Sequence, residues 1–266
     1  MIYFEVEAGL CNRLRGMAAA YFYAKETGVP LTIIWKSDIN CNLKFDSVFA
    51  LDVDIPVKII NFDCMGTNPF KKLEHLINRF REAWMKSKCA AVLWGRPDVD
   101  IERMNKETEA GKNVYLTTCH YWYEGEAPFS IFKLKQPVAE KVERIKQECG
   151  DNCVGVHIRR TDHKDCINNS PTEAFIREMK KESEDTVFFV ASDDAAEREN
   201  LVKIFGKDRI KYNTAAELKR GTLQGMEDAV IDLYMLSKTR KILGSDGSSF
   251  TDTAGMIGKI PVIMCG

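Results

Sequence analysis

The 266-residue chain has no apolar run near the ~18 residues that a membrane-spanning helix requires. It has no excess of either charge, the formal net value being −1. General nucleic-acid binding draws on a basic surface that displaces counterions, so the charge balance argues against that class and any anion site must be a local cluster. Metal-binding spacings are missing as well. Nine cysteines are scattered, and the closest pair, Cys149 and Cys153, has no second pair at zinc-ribbon distance. The four histidines (His75, His120, His157, His163) form no HExxH. The first strand-to-helix turn, Gly9-Leu10-Cys11-Asn12, is no GxGxxG, which disfavours a Rossmann-type reductase. Met1 to Glu7 lack a basic leader region and read as a strand. These absences predict a soluble cytoplasmic protein with reduced thiols, no metal, no nucleic-acid partner and only peripheral membrane contact.

What is there is an ordinary globular composition, 45% hydrophobic and 29% charged, long enough for a sizeable core without disulfides. Short apolar strands alternate with longer helical patterns. Residues 1–7 read as a strand, Asn12 to Lys25 as a packed helix ending at Gly28, and Leu31 to Trp35 as a second strand. This βαβ unit implies a parallel sheet. Further strands are expected at 57–61, 90–94 and 113–118. Residues 71–88 are basic and amphipathic; the alternatives are a solvated helix face or contact with an anionic surface or acceptor. Pro137 to Cys149 reads as a helix closed by Gly150, which places the boundary between two halves there. The alternation then repeats. Strands are expected at 154–158, 186–191, 209–211, 241–243 and 261–264. Helices are expected at 171–184 (capped by Ser170), 194–205, 226–237 and 249–257. The reading is α/β, with two doubly wound Rossmann-like domains, 1–149 and 150–266, facing a cleft.

Ligands in such sheets bind at the carboxyl ends of strands. Four strand ends or their neighbours in the second half carry suggestive residues. His157-Ile158-Arg159-Arg160-Thr161-Asp162 follows an apolar strand; an arginine fork suits a phosphate, and the alternative is an ion-pair network. Asp193 and Asp194 follow Ser192, and the alternatives are accepting from ribose hydroxyls, orienting the arginines, or capping a helix. Asp232 lies among apolar residues, where a guanine edge or a core arginine would satisfy it. Gly244-Ser245-Asp246-Gly247-Ser248-Ser249-Phe250 joins a strand to a helix, and its free N–H groups and hydroxyls make an anion cradle or only a turn. In the first half, Asn12 and Arg13 open a helix and are expected either to face the cleft, toward a diphosphate or acceptor, or to serve as an ordinary helix start.

Taken in order, these segments resemble a known family. His157-x-Arg159-Arg160-Thr161-Asp162 is similar to the HxRRTD motif of inverting fucosyltransferases, most closely the N-glycan core α1,6 enzymes and the rhizobial nodulation fucosyltransferases. Protein O-fucosyltransferases and bacterial α1,2-fucosyltransferases are more distant. Ser192-Asp193-Asp194, Val230-Ile231-Asp232 running to Ser237, and Ser248-Ser249 are similar too, and Gly9-Leu10-x-Asn12-Arg13 resembles an N-terminal motif of the superfamily. The similarity covers about residues 150–258 and 1–35.

The resemblance implies a GT-B fold and an inverting, metal-independent transfer of fucose from GDP-fucose to a glycan hydroxyl. Arg159 would bind the β-phosphate, and His157 and Asp232 would recognise guanine. Ser248, Ser249 and Phe250 would line the donor site, with Asn12, Arg13, Arg160, Asp193 and Asp194 supporting it. Where core α1,6 enzymes carry a glutamate after the motif, this chain reads His163-Lys164-Asp165-Cys166-Ile167. Asp162, Asp165 and Glu173 are therefore the candidate bases, Asp162 first. The acceptor need not be an N-glycan. Two other readings stay open: the same fold with another nucleotide sugar, and a non-catalytic nucleotide- or glycan-binding relative.

Overall fold

The computed structural model describes every residue except 96, 97, 126, 127, 162, 163, 215 and 220. In chain order the first elements are β1 (Ile2–Val6), α1 (Leu10–Thr27), β2 (Leu31–Ser37), α2 (Phe45–Val48), β3 (Phe49–Leu51) and β4 (Val57–Asp63). There follow α3 (Pro69–Ser87), β5 (Cys89–Trp94), α4 (Ile101–Glu109), β6 (Asn113–Thr118), β7 (Phe132–Leu134) and α5 (Gln136–Cys149). The remainder is β8 (Cys153–Ile158), α6 (Lys164–Asn169), α7 (Thr172–Met179), β9 (Val187–Ser192), α8 (Ala195–Phe205), β10 (Ile210–Lys211), α9 (Leu223–Ser237), β11 (Ile242–Gly244), α10 (Ser249–Gly258) and β12 (Val262–Met264).

Two five-stranded parallel sheets result, ordered β4-β2-β1-β6-β5 and β10-β9-β8-β11-β12. Parallel sheets need apolar cover on both faces. The central strand β8 meets that demand with Cys153 to Ile158 buried throughout. Strand order reverses in the second sheet between β8 and β11, whereas in the first sheet β1, β2, β4 and β5, β6 advance in the same direction on the two sides of the β1–β6 pair. The α/β, Rossmann-like reading of both halves therefore stands. The short elements α2, β3, α4 and β7 lie outside what hydrophobic periodicity revealed.

The chain divides into two compact units, Met1–Lys133 and Leu134–Gly266. This corrects the expected boundary at 149/150. Helix α5 packs on α9, buries Val138 and Val142, and carries Lys141 bonded to Glu227 at 2.5 Å, so it belongs to the second unit. Helix α7 is also shorter than expected, spanning Thr172–Met179 with Pro171 at its cap. Ser170 does not cap it; the buried Ser170 hydroxyl accepts from the Asp246 N–H at 2.9 Å.

In the first unit α1 starts after Gly9 without a side-chain cap and ends at Gly28, whose φ of 70° suits a residue lacking Cβ. Arg13, expected to face a ligand, is instead fully buried. Its Nε donates to the Ala8 carbonyl at 2.7 Å, Nη1 to the Lys36 carbonyl, and Nη2 to both Asp38 carboxylate oxygens at 2.8 Å. The guanidinium thus ties the β1–α1 turn to the end of β2. It also holds Ala8 at φ 65°, a left-handed conformation that costs a non-glycine residue energy. Asn12 stays partly exposed in the first turn of α1.

Arg13→Leu should lower stability by about 3 kcal/mol in chemical denaturation, because it strips a buried hub and strands its partners. Asp38→Asn should cost distinctly less, since the Asp38 side chain is 31% exposed and water can take over part of its role.

Candidate active site

The loops after β8 and β11 meet at the reversal point of the second sheet. The Ser245 N–H donates to the His157 carbonyl at 3.1 Å, and the Arg159 N–H donates to Ser245 Oγ at 3.0 Å. Gly244 permits the close approach of α10, because a Cβ there would lie 2.1 Å from Thr251 Cγ2. The Thr251 hydroxyl in turn shares a 2.7 Å hydrogen bond with His157 Nδ1. The His157 ring stacks on Phe250, centroids 4.8 Å apart. Burial drives the imidazole pKa down to about 4, with Asp193 opposing and Arg159 reinforcing the shift, so the ring is neutral near pH 7.

Asp193 organises the segment after His157. Its Oδ1 accepts from the Arg160 N–H at 2.8 Å, and its Oδ2 accepts from the Thr161 hydroxyl at 2.7 Å. The same Oδ2 lies 2.8 Å from Arg159 Nη1. The carboxylate therefore orients the arginines, one of the three roles open from sequence. The adjacent Asp194 takes the ordinary role: it caps α8, accepting from the Ala196 N–H at 2.9 Å.

Arg160 is expected beside the donor, but its guanidinium is engaged within the unit. Nε donates to Glu197 at 2.8 Å, Nη1 to the Arg159 carbonyl at 2.9 Å and Nη2 to Thr172 Oγ1 at 3.0 Å, with Phe175 beneath the cation. Arg160 is a brace. The two adjacent arginines thus divide, one into the α7–α8 packing and one toward Asp193.

Asp232 is buried on α9, and its Oδ2 receives Arg198 Nη2 only at 3.5 Å. Arg198 is held better by the Ser192 carbonyl, at 2.9 Å. Oδ1 of Asp232 is buried with no hydrogen-bond partner. A carboxylate left this way is costly to ionise, and desolvation raises its pKa to about 7, with Arg198 opposing and Asp228 adding to the shift. The core arginine foreseen as the alternative partner is present, yet it leaves one acceptor unmet. A planar ligand edge with two N–H donors is the chemistry that would complete it.

Ser248 is mostly buried at the cap of α10, with no side-chain cap bond, and Ser249 opens the helix. Asp162, the first candidate base, lies outside the described residues. Asp165 and Glu173 are exposed in the first turns of α6 and α7. Sequence reasoning missed Thr251, Glu197 and Thr172, single polar residues on helices with no local pattern to mark them.

No family model matches the chain. Among curated proteins, Nodulation protein Z of Sinorhizobium fredii is 25% identical over 179 residues, which cover 61% of this chain and 55% of that protein. The match thus spans about half the length of that relative. Among solved structures, NodZ alpha-1,6-fucosyltransferase soaked with GDP-fucose superposes with a TM-score of 0.63 at 18% identity, over 96% of this chain and 92% of that one. Arabidopsis thaliana FUT1 mutant R284K in complex with GDP gives 0.63 at 14%, over 100% and 70%. POFUT1 in complex with GDP gives 0.60 at 12%, over 100% and 98%. The fold is that of the GT-B fucosyltransferases.

The Asp232 carboxyl sets a pH signature. Its folded pKa, about 7, exceeds the ordinary value of 3.8, so the stability it lends is complete below about pH 4 and is lost as pH rises through 7. His157 acts oppositely: its pKa, lowered from 6.5 to about 4, removes stability as pH falls across that window. Asp232→Asn should therefore stabilise the ligand-free protein by about 3 kcal/mol more at pH 8 than at pH 4, with part of the gain already present at pH 5. Thermal melts at the two pH values check this.

Proposed function

We propose that the protein is a fucosyltransferase that takes GDP-fucose as donor and transfers fucose to a glycan hydroxyl with inversion, without a metal ion. The observation that carries the reading is the buried, unpartnered Oδ1 of Asp232 in the unit whose sheet reversal point holds the His157–Arg159 segment. A guanine edge supplies two parallel N–H donors to a carboxylate, and a diphosphate suits an arginine fork. The likeness to Nodulation protein Z and to a NodZ structure soaked with GDP-fucose supports the same donor.

In this reading guanine is recognised by Asp232 and His157, with the neutral imidazole avoiding a competing charge. Arg159 faces the β-phosphate. As the bond from the anomeric carbon to the β-phosphate oxygen breaks, negative charge grows on that oxygen. A guanidinium fixed by Asp193 stabilises it without moving. Ser248, Ser249 and the first N–H groups of α10 hold the remaining phosphate oxygens. The acceptor hydroxyl attacks from the opposite face and passes its proton to a carboxylate, for which Asp162, Asp165 and Glu173 are the candidates. Arg13, Arg160 and Asp194 are supports rather than contacts.

Arg159→Ala should lower fucose transfer, followed as GDP release across a glycan panel, by about two to three orders of magnitude. Undiminished turnover would overturn the assignment. In a thermal-shift comparison GDP should stabilise the protein more than UDP, ADP or dTDP; equal response to all four would point to another nucleotide sugar. GDP bound without turnover on any acceptor would favour a binding protein.

Guanine requires the ionised carboxylate, so GDP affinity should fall about tenfold per pH unit below 7. In Asp232→Asn affinity should be weak, and the part of the slope due to this carboxyl should vanish. Isothermal titration between pH 5 and 8 reads both, and an identical slope in wild type and variant refutes the role given to Asp232.

A further inference from the structure

Helix α3 is turned inside out. Lys71, Asn78, Glu82 and Lys86 face the sheet, and the large apolar residues other than Met85 face solvent. On the inner side Lys71 bonds Asp63 at 2.6 Å, and the Asn78 amide donates to the Asp63 carbonyl at 3.4 Å. Glu82 joins Lys36 at 2.7 Å and Lys86 at 2.5 Å, and Lys36 continues to Glu5 at 2.5 Å. Of the apolar residues of α3 only Met85 is buried. On the outer side Phe70 is 86% exposed, Phe80 67% and Trp84 60%, with Leu73 and Ile77 between them. The spacing 70, 73, 77, 80, 84 is a single stripe along one helix face.

The stripe continues onto the sheet edge. Val92 and Trp94 on β5 pair in register with Tyr115 and Thr117. Both of those partners reach Glu5, on the α3 side of the sheet. Parallel partners point to the same face, so Val92 and Trp94 extend the apolar surface beyond α3, and Trp94 is 66% exposed. A contiguous exposed surface of this kind marks a docking site.

The charges around it select the occupant. The exposed residues of α3 and its cap include Lys72, Arg79, Arg81 and Lys88 and no acid, while Glu74 and Glu82 are drawn into ion pairs with lysines. Two copies of the chain meeting symmetrically here would set these cations against each other. An anionic bilayer surface meets both demands at once, with rings and aliphatic side chains entering the headgroup boundary and the cations meeting phosphates. From Phe70 to Trp84 the stripe is about 21 Å long at 1.5 Å per residue, a length that lies along a surface. No described helix is long and apolar enough to cross a membrane.

We infer that the outer face of α3, with Val92 and Trp94, docks this protein in the plane of an anionic lipid membrane. The inference goes beyond the transferase reading and does not rest on it. The test is co-sedimentation of the full chain with vesicles of phosphatidylcholine alone or with about one-third phosphatidylglycerol. Wild type should bind the mixed vesicles and not the neutral ones, and high salt should release it. Phe80→Ser/Trp84→Ser should weaken binding at least about tenfold with the charges intact. Lys72→Glu/Arg79→Glu should weaken it about thirtyfold or more, at roughly fivefold per cation. All four positions point outward, and circular dichroism checks that each variant is folded. Three results would overturn the proposal. They are no sedimentation of wild type with the mixed vesicles, full binding by both variants, and a lipid-free dimer in ultracentrifugation that Phe80→Ser/Trp84→Ser disperses.

Discussion

The Asp193 carboxylate is the fixed point of the second unit. From one side chain it takes the Arg160 N–H, the Thr161 hydroxyl and the Arg159 guanidinium. A loop that leaves a buried strand needs partners for backbone groups the sheet no longer satisfies. Asp193, at the end of the neighbouring β9, supplies them, so the two loops are set together. Once the first turn after β8 is fixed, Arg160 falls into the α7–α8 packing and Arg159 is held on the other side. The geometry of the candidate site follows from that one anchor.

The sheets were legible because parallel strands, covered on both faces, read as short apolar runs between helical patterns. Cys153 to Ile158 and Val187 to Ser192 are examples. Length alone did not locate the domain boundary. Helix α5 ends at Gly150, which looks like a terminus, but its buried Val138 and Val142 serve the unit that follows. A helix with one apolar face does not announce which neighbour it covers. The same limit explains α7. Ser170 before a proline suits a cap, yet its hydroxyl is taken by Asp246, a residue 76 positions later.

Within the site, residue type was easier to read than residue direction. Arg159, Arg160 and Arg13 carry the same side chain beside strand ends, and all three were expected near the ligand. The difference lies in partners remote in sequence. Asp38 and the Lys36 carbonyl draw Arg13 inward, Glu197 and Thr172 draw Arg160 inward, and Asp193 holds Arg159. Asp232 is the complementary case. Sequence offered a guanine edge or a core arginine, and Arg198 is indeed present. Its long contact leaves the carboxyl pKa near 7, far from the value a well-paired buried acid would have.

Helix α3 shows the same competition at the level of a whole element. An amphipathic helix ordinarily turns its apolar stripe to the core, because burial outweighs surface ion pairs of modest strength. Here the sheet face beneath it presents Glu5, Lys36 and Asp63, charges that an apolar stripe would strand without partners. Lys71, Glu82 and Lys86 satisfy them, and Tyr115 adds a hydroxyl to Glu5 at 2.7 Å, its phenol held protonated by burial and by the Glu5 charge beside it. The polar side of α3 is therefore complementary to this sheet, and its apolar side is complementary to something else. A stripe left in water loses the burial that its residues could otherwise contribute. The arrangement is economical only if another surface covers it, and the cations that border it favour one rich in phosphate.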